Sequence, residues 1–246
     1  MATLFISDLH LTEERPEIIA LFRTFLREQA AHAEALYILG DLFEAWLGDD
    51  AVSAGMQPVL DELSRLTESG VPVFVLVGNR DFLIGERFAE MTGCTLLPDP
   101  SVIKLYGTDT LLMHGDTLCT DDVDYQQFRR QVRDPAWQAA VLAKTIDERM
   151  AMAREARAES TLRTREKSDA IMDVNEKSVL EVFRSHGVTR LIHGHTHRPA
   201  IHQLWVDETA VTRIVLGDWY DQSSVLSVSE DGVELTSPAP TQTDQH

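Results

Sequence analysis

The chain has 246 residues, 43% of them hydrophobic, enough for one large domain, or one domain with an insertion, around its own core. A formal net charge of −18 excludes nucleic-acid binding through the surface as a whole, because that requires positive charge to displace counterions. The two cysteines, Cys94 and Cys119, form no CxxC pair, and no stretch approaches the roughly 18 to 20 apolar residues that cross a bilayer, which argues against a zinc knuckle, a disulfide framework or a membrane span.

The N-terminal residues Thr3-Leu4-Phe5-Ile6 are too short for a signal-like apolar region and lack a basic lead-in; they predict a strand that stops at Ser7-Asp8-Leu9-His10. The expected setting is therefore a reducing cytoplasm, with both cysteines as buried thiols. Residues 16–33 predict a helix, with Pro16 in its first turn and Ile18, Leu21, Phe22, Phe25 and Leu26 at helical spacing. Strand LYIL (36–39) follows and stops at Gly40-Asp41. A helix around 56–68 ends by Gly70, ahead of strand VFVLV (73–77), which stops at Gly78-Asn79-Arg80-Asp81. Alternation of strand and helix implies parallel pairing with right-handed crossovers, which puts these three strand ends on one edge. After a short helix predicted over 82–92, TLLM (110–113) stops at His114-Gly115-Asp116.

Residues 121–185 contain no convincing strand, are rich in Ala, Arg, Glu and Met, and predict helices. Trp137, Val141, Ile146 and Met150 are expected to form an apolar stripe, while Arg157, Ser160, Thr164 and Lys167 share one polar face. Within 129–167, ten Lys and Arg stand against six acids, a basic island that suits either a solvated helical face or an anionic partner. Strands are expected again at 190–193, 213–217, 224–228 and 233–236; the first of them, containing RLI, stops at His193-Gly194-His195-Thr196-His197. The last ten residues lack core formers and predict a loose tail.

Five strand ends thus present Asp, Asn and His. Carboxylate oxygen, amide oxygen and imidazole nitrogen suit hard or borderline dications. Asp8 and His10 alternate and can turn toward one ion; Asp41 can bridge two ions roughly 3.5–4 Å apart; Asn79, His114, His195 and His197 complete two ligand sets. Asp81 and Asp116 lie beside these residues and are expected to orient them rather than bind metal. His193 is expected to be a strand-end hydrogen-bonding residue, and Asp218 in VLGDW finds no vacant metal position.

In this order, DxH, GD, GNxD, HGD and HGHxH resemble the calcineurin-like metallophosphoesterase superfamily across nearly the whole chain. The resemblance implies an α/β fold of two stacked mixed β-sheets flanked by helices. It implies one metal held by Asp8, His10, Asp41 and His197, the other by Asp41, Asn79, His114 and His195, and water attacking phosphorus in line. Many relatives have GNHD, whose histidine can protonate a leaving group; here Arg80 stands in its place, unable to release a proton but able to hold phosphate oxygens. That substitution points to a phosphoanhydride, whose leaving phosphate needs little protonation.

The longer segments GDLFEAWLGDD (40–50), GNRDFLIG (78–85), LLMHGDTLCTDD (111–122), RAES (157–160), LIHGHTHRP (191–199) and VLGDW (215–219) resemble the branch of this superfamily that cleaves UDP-2,3-diacylglucosamine in lipid A assembly. This resemblance implies attack at the α-phosphorus, giving UMP and 2,3-diacylglucosamine 1-phosphate (lipid X), with two Mn2+ ions as cofactor. It implies catalytic roles for Asn79, Arg80 and His114, and substrate contacts from Asn79, Arg80, Asp122, Ser160, Thr164, Lys167 and His195; Arg157, on the same polar face as Ser160, Thr164 and Lys167, is a further candidate contact. It divides the chain into a metallophosphoesterase core (1–120 and 186–236), a helical lipid-binding cap (121–185) and a flexible tail (237–246). Trp46, Phe82, Phe128, Trp137, Ile146 and Met150 are the apolar candidates for the acyl chamber. The implied location is peripheral, on the cytoplasmic face of the inner membrane against an anionic surface, with no nucleic acid and no obligate protein partner. The alternatives are a soluble nucleotide-sugar or dinucleotide pyrophosphatase and a non-catalytic interaction scaffold.

Overall fold

The computed structural model describes residues 1–166, 173–220 and 223–236, and of residues 159–166 only the main chain. The strands are β1 (Thr3–Ile6), β2 (Ala35–Leu39), β3 (Val73–Leu76), β4 (Thr95–Leu96), β5 (Ser101–Leu105), β6 (Thr108–Met113), β7 (Arg190–His193), β8 (Ala200–Val206), β9 (Thr209–Val215), β10 (Val225–Ser229) and β11 (Gly232–Thr236). The helices are α1 (Pro16–Glu28), α2 (Gln57–Glu68), α3 (Glu86–Thr92), α4 (Val123–Val132), α5 (Pro135–Leu142), α6 (Ile146–Glu166) and α7 (Glu176–His186).

The strands form two mixed sheets, ordered β11-β10-β1-β2-β3-β4 and β5-β6-β7-β9-β8. In the first, β1 to β4 run parallel; in the second, β6, β7 and β9 do. Side chains alternate across each sheet, which sorts every strand's residues into two cores. Phe5, Leu39 and Leu76 meet Leu112, Ile192 and Ile214 between the sheets. Leu4, Ile6, Leu36, Ile38, Val73 and Val75 face the other way, onto Phe22, Phe25, Leu60, Leu63 and Phe88 of α1, α2 and α3. On the outer face of the second sheet, Leu111, Met113 and Leu191 pack on Val179 and Phe183 of α7. Burial on both faces explains why TLFI, LYIL and VFVL read as unbroken apolar runs.

Several element boundaries differ from expectation. α1 stops at Glu28 and the chain turns through a 3-10 segment at Ala30–His32, so the predicted helix over 16–33 is two pieces. Residues 82–85 precede α3 rather than belonging to it. β5 and β8 are absent from the strands expected from sequence; both alternate half-buried and exposed positions at the edges of the second sheet, where the apolar signal is halved. The expected stripe over 137–150 is split between two helices: Val141 is buried and Trp137 packs beside Phe82, but Ile146 is 41% exposed.

Trp219 links the core to the first metal-loving motif. It is fully buried, edge-on to Phe22 and Phe25, and its indole N–H donates to the Ser224 carbonyl at 3.2 Å. Its backbone N–H donates to the Asp8 carbonyl. Trp219→Ala is expected to cost about 3–5 kcal/mol, from lost burial and the cavity left behind. Urea melts read by circular dichroism check this; a loss below about 1 kcal/mol would show that the site segment is held by other contacts.

Candidate active site

Where β1 and β2 end, the two chains remain joined: Asp8 N–H donates to the Gly40 carbonyl, His10 N–H to that of Asp41 and Leu11 N–H to that of Leu42. These bonds carry the first two motifs past the sheet edge side by side. The backbone there is unusual. Asp8 (φ 56°), His10 (49°), Asp41 (52°), His195 (70°) and His197 (56°) all take the left-handed conformation, which costs a non-glycine residue on the order of 1 kcal/mol. Strain of this kind persists only where surrounding contacts over-determine it. Gly78 and Gly194 supply the close approach: a Cβ on either would collide with Asp41 or Asp8 respectively.

The two sheets meet at this edge. His195 N–H donates to Asp8 Oδ2 at 2.9 Å and Gly194 N–H to the His114 carbonyl at 2.8 Å. Ser7 Oγ donates to the same Asp8 oxygen, which leaves Oδ1 buried without a hydrogen bond and 3.4 Å from His197 Nε2. His10 Nε2 lies 3.4 Å from His197 Nε2 and 3.8 Å from Asp41 Oδ2. Asp8, His10 and His197 therefore offer ligand atoms within 4.8 Å of one another, as do Asp8, Asp41 and His114. Asn79 Oδ1 lies 2.8 Å from His114 Nε2 and 2.9 Å from His195 Nδ1, and Asp41 Oδ2 is 3.8 Å from His114 Nε2. All seven sequence candidates converge, with Asp41 facing both groups.

The donor set fits dications. His114 Nδ1–H donates to the Leu39 carbonyl, an acceptor only, so in the neutral ring Nε2 carries the lone pair that faces the Asn79 oxygen. Two acceptors at that distance need a proton or a metal ion between them. Burial disfavours charge on His114, yet Asp41, Asp116 and Asp8 outweigh it and raise its pKa to about 9. His197 is likewise raised to about 10, with Asp218 and Asp8 outweighing burial. His195 goes the other way, down to about 4, through burial and the neighbouring His114. In the metal-free site, protons do part of the neutralising that dications would do.

Around these groups stand residues that hold them. The buried Asp81 carboxylate accepts from the N–H groups of Leu42 (2.7 Å), Phe43 and Gly78 (2.7 Å), tying the Asp41 loop to the Asn79 loop. Burial and the nearby Asp41 raise its pKa to about 6. Asp116 accepts from Tyr125 Oη (2.7 Å) and Arg129 Nε (2.8 Å), and Tyr125 in turn stacks on His195. His193 sits fully buried at the end of β7 with Nδ1 on the Gly194 carbonyl. Sequence reasoning missed two carboxylates. Asp218 lies 3.0 Å from His197 Nδ1 and Glu44 lies 3.2 Å from His10 Nδ1, each against the ring nitrogen opposite the ligand group. Asp218 ends a strand as the ligands do, and that signal was present; Glu44 carries none.

Of the expected substrate contacts, Arg80 is placed at the site by its N–H, which donates to Asp41 Oδ1 at 2.8 Å, with its guanidinium about one-third exposed. Arg157 of α6 reaches Glu44 as an ion pair. Asp122 caps α4, accepting from Tyr125 N–H at 3.1 Å. The side chains of Ser160 and Thr164, and all of Lys167, lie outside the described residues. Among the proposed acyl-wall residues, Trp46 is buried against Phe43 and donates to Asp49, whereas Phe128 is 40% exposed.

The fold and the sequence both have known relatives. A solved archaeal phosphodiesterase, 15% identical, matches the fold with a TM-score of 0.51 over 97% of this chain and all of its own. A protein of Stenotrophomonas maltophilia strain R551-3 named UDP-2,3-diacylglucosamine hydrolase is 56% identical over 96% of this chain and 98% of its own length. One of the same name from Xanthomonas axonopodis pv. citri is 54% identical over the same shares. Residues 1–199 match the calcineurin-like phosphoesterase family, and these residues include every strand end that converges on the paired ligand groups. The chain is thus a hydrolase that belongs to the calcineurin-like phosphoesterase family.

Proposed function

We propose that this protein hydrolyses the pyrophosphate bond of UDP-2,3-diacylglucosamine, with water attacking the α-phosphorus and UMP and 2,3-diacylglucosamine 1-phosphate leaving. The observation that carries this reading is Arg80, bound through its backbone to the Asp41 carboxylate at the point where both ligand groups meet. A guanidinium there can hold phosphate oxygens but cannot protonate an alkoxide, so the site suits a leaving group that is already a stable anion. The full-length relatives named for this substrate support the same reading.

Asp8, His10, Asp41 and His197 would hold one ion and Asp41, Asn79, His114 and His195 the other; manganese suits such mixed oxygen and nitrogen donors. When bound, the pair neutralises charge on the phosphoryl oxygens and activates water. The chain's own residues do the rest. Arg80 and Arg157 offset the substrate's negative charge, and the Asn79 amide and His195 ring fix a phosphoryl oxygen in line. Asp122, Ser160, Thr164 and Lys167 bind the glucosamine phosphate, on a cap of residues 121–185 set over a core of 1–120 and 186–236. Phe128, Trp137, Ile146 and Met150 offer apolar surface to the acyl chains. No described helix is long and apolar enough to cross a membrane. The enzyme works as a peripheral protein on the cytoplasmic face of the inner membrane, its basic cap helices toward anionic lipid heads.

Turnover of UDP-2,3-diacylglucosamine in ¹⁸O-water with manganese is expected to place the label in UMP; label in the lipid phosphate would overturn the site of attack. Asp41→Asn should lower kcat by on the order of 10³-fold, about 4 kcal/mol of transition-state stabilisation, and reduce the bound metal measured by mass spectrometry. Because His114 and His197 are raised to about 9 and about 10, both carry protons at pH 7.5 in the metal-free chain. Metal binding should then release about two protons and weaken as pH falls. Calorimetry in buffers of different ionisation enthalpy measures this; zero proton release would contradict the ligand assignment.

A further inference from the structure

Glu44 occupies a position that the hydrolytic reaction as described leaves without a role. Its backbone is fixed, with N–H donating to the Leu11 carbonyl at 3.0 Å, and its side chain is only 13% exposed. One carboxylate oxygen stands 3.2 Å from His10 Nδ1, off the line of a hydrogen bond. The other oxygen meets two guanidinium groups: Arg80 at 3.9 Å and Arg157 in a direct ion pair. Two guanidinium groups around one carboxylate is the environment a phosphate group would select.

The helix that brings Arg157 is anchored elsewhere. Arg149, one of the few buried charges, holds Asp50 with a bidentate pair at 2.6 and 2.7 Å and donates to the Leu47 carbonyl at 2.8 Å. α6 therefore grips the 44–50 segment twice, once through the buried Arg149 and once through Arg157, whose side chain is 55% exposed. Of the two arginines, only Arg157 has its own side chain largely in solvent.

We infer that Glu44 is a placeholder for the substrate's phosphate: in the substrate-free protein its carboxylate occupies Arg80 and Arg157, and an entering phosphate takes both guanidiniums over while Glu44 remains against His10. This rests on the reading that a pyrophosphate is bound here, but not on which molecule carries it. The placeholder keeps two arginines oriented and keeps the free site from holding anions too tightly, so that product phosphate leaves as the guanidiniums return to Glu44.

Glu44→Gln keeps the shape and removes the charge. The expected result, by calorimetric titration of the manganese-loaded protein with inorganic phosphate, is about tenfold tighter binding, since one competing charge is gone. Most of that gain should vanish in the Arg157→Gln background. In turnover, KM should fall and kcat should not rise. Unchanged or weaker phosphate binding by Glu44→Gln at full metal content would overturn the inference, because a merely structural ion pair predicts that outcome. Should Glu44→Gln bind less metal, the comparison is made with Glu44→Asp, which keeps the charge but withdraws it from Arg157; tighter phosphate binding supports the placeholder and equal binding refutes it. A chain that binds phosphate as expected yet leaves UDP-2,3-diacylglucosamine intact would refute the substrate and not the placeholder.

Discussion

Everything about this molecule's site end follows from the difficulty of burying negative charge. Asp8, Asp41, Asp81 and Asp116 are all at most 2% exposed and lie within one cluster of strand ends. An unpaired buried carboxylate costs several kcal/mol, so the fold must supply positive partners or donors for each. Asp81 is satisfied by three backbone N–H groups, and Asp116 accepts from a tyrosine and an arginine through Oδ2 while its Oδ1 has no hydrogen bond. Asp8 Oδ1 has no such hydrogen bond, and Asp41 directs Oδ2 at two histidines from a distance too long for bonding. Asp81, which ties two loops, is saturated by the protein, whereas Asp8 Oδ1 and Asp41 Oδ2 face the histidines of the cleft.

That constraint explains why the sheets are built as they are. Parallel strands put their carboxyl ends together, and two sheets packed face to face bring two such edges to one place. The intersheet core of Phe5, Leu39, Leu112 and Ile192 sets the separation of the edges, and Trp219 pins the first loop from behind. Packing far from any ligand therefore determines ligand distances.

Much of this was legible in the amino-acid sequence, and what was not has physical reasons. The central strands, buried on two faces, are continuous apolar runs that cannot be confused with loops. β5 and β8 carry Lys104 and Gln203 on exposed positions and blend into their surroundings. The candidate ligands were legible because each sits just beyond such a run, and so were Asp81 and Asp116 beside them. Glu44 was not, and Asp218 was marked only by its strand end: their importance lies in contacts with His10 and His197, which come from other loops, and no local pattern encodes a contact made across the fold. Arg129 and Tyr125 escaped for the same reason, being helix residues whose partner Asp116 lies in the preceding turn.

The left-handed backbone at Asp8, His10, Asp41, His195 and His197 has a consequence for how such a protein can change over time. Apart from glycine, the side chains that tolerate this conformation best are asparagine, aspartate and histidine, which are also good metal ligands. Conformation and chemistry thus select the same small alphabet at these positions. A descendant freed from catalysis would still be confined by its turns, and would drift toward glycine or asparagine there rather than toward alanine or valine. Loss of function in this fold would leave a signature in the backbone's preferences, and the vacated positions would still mark where the metals had been.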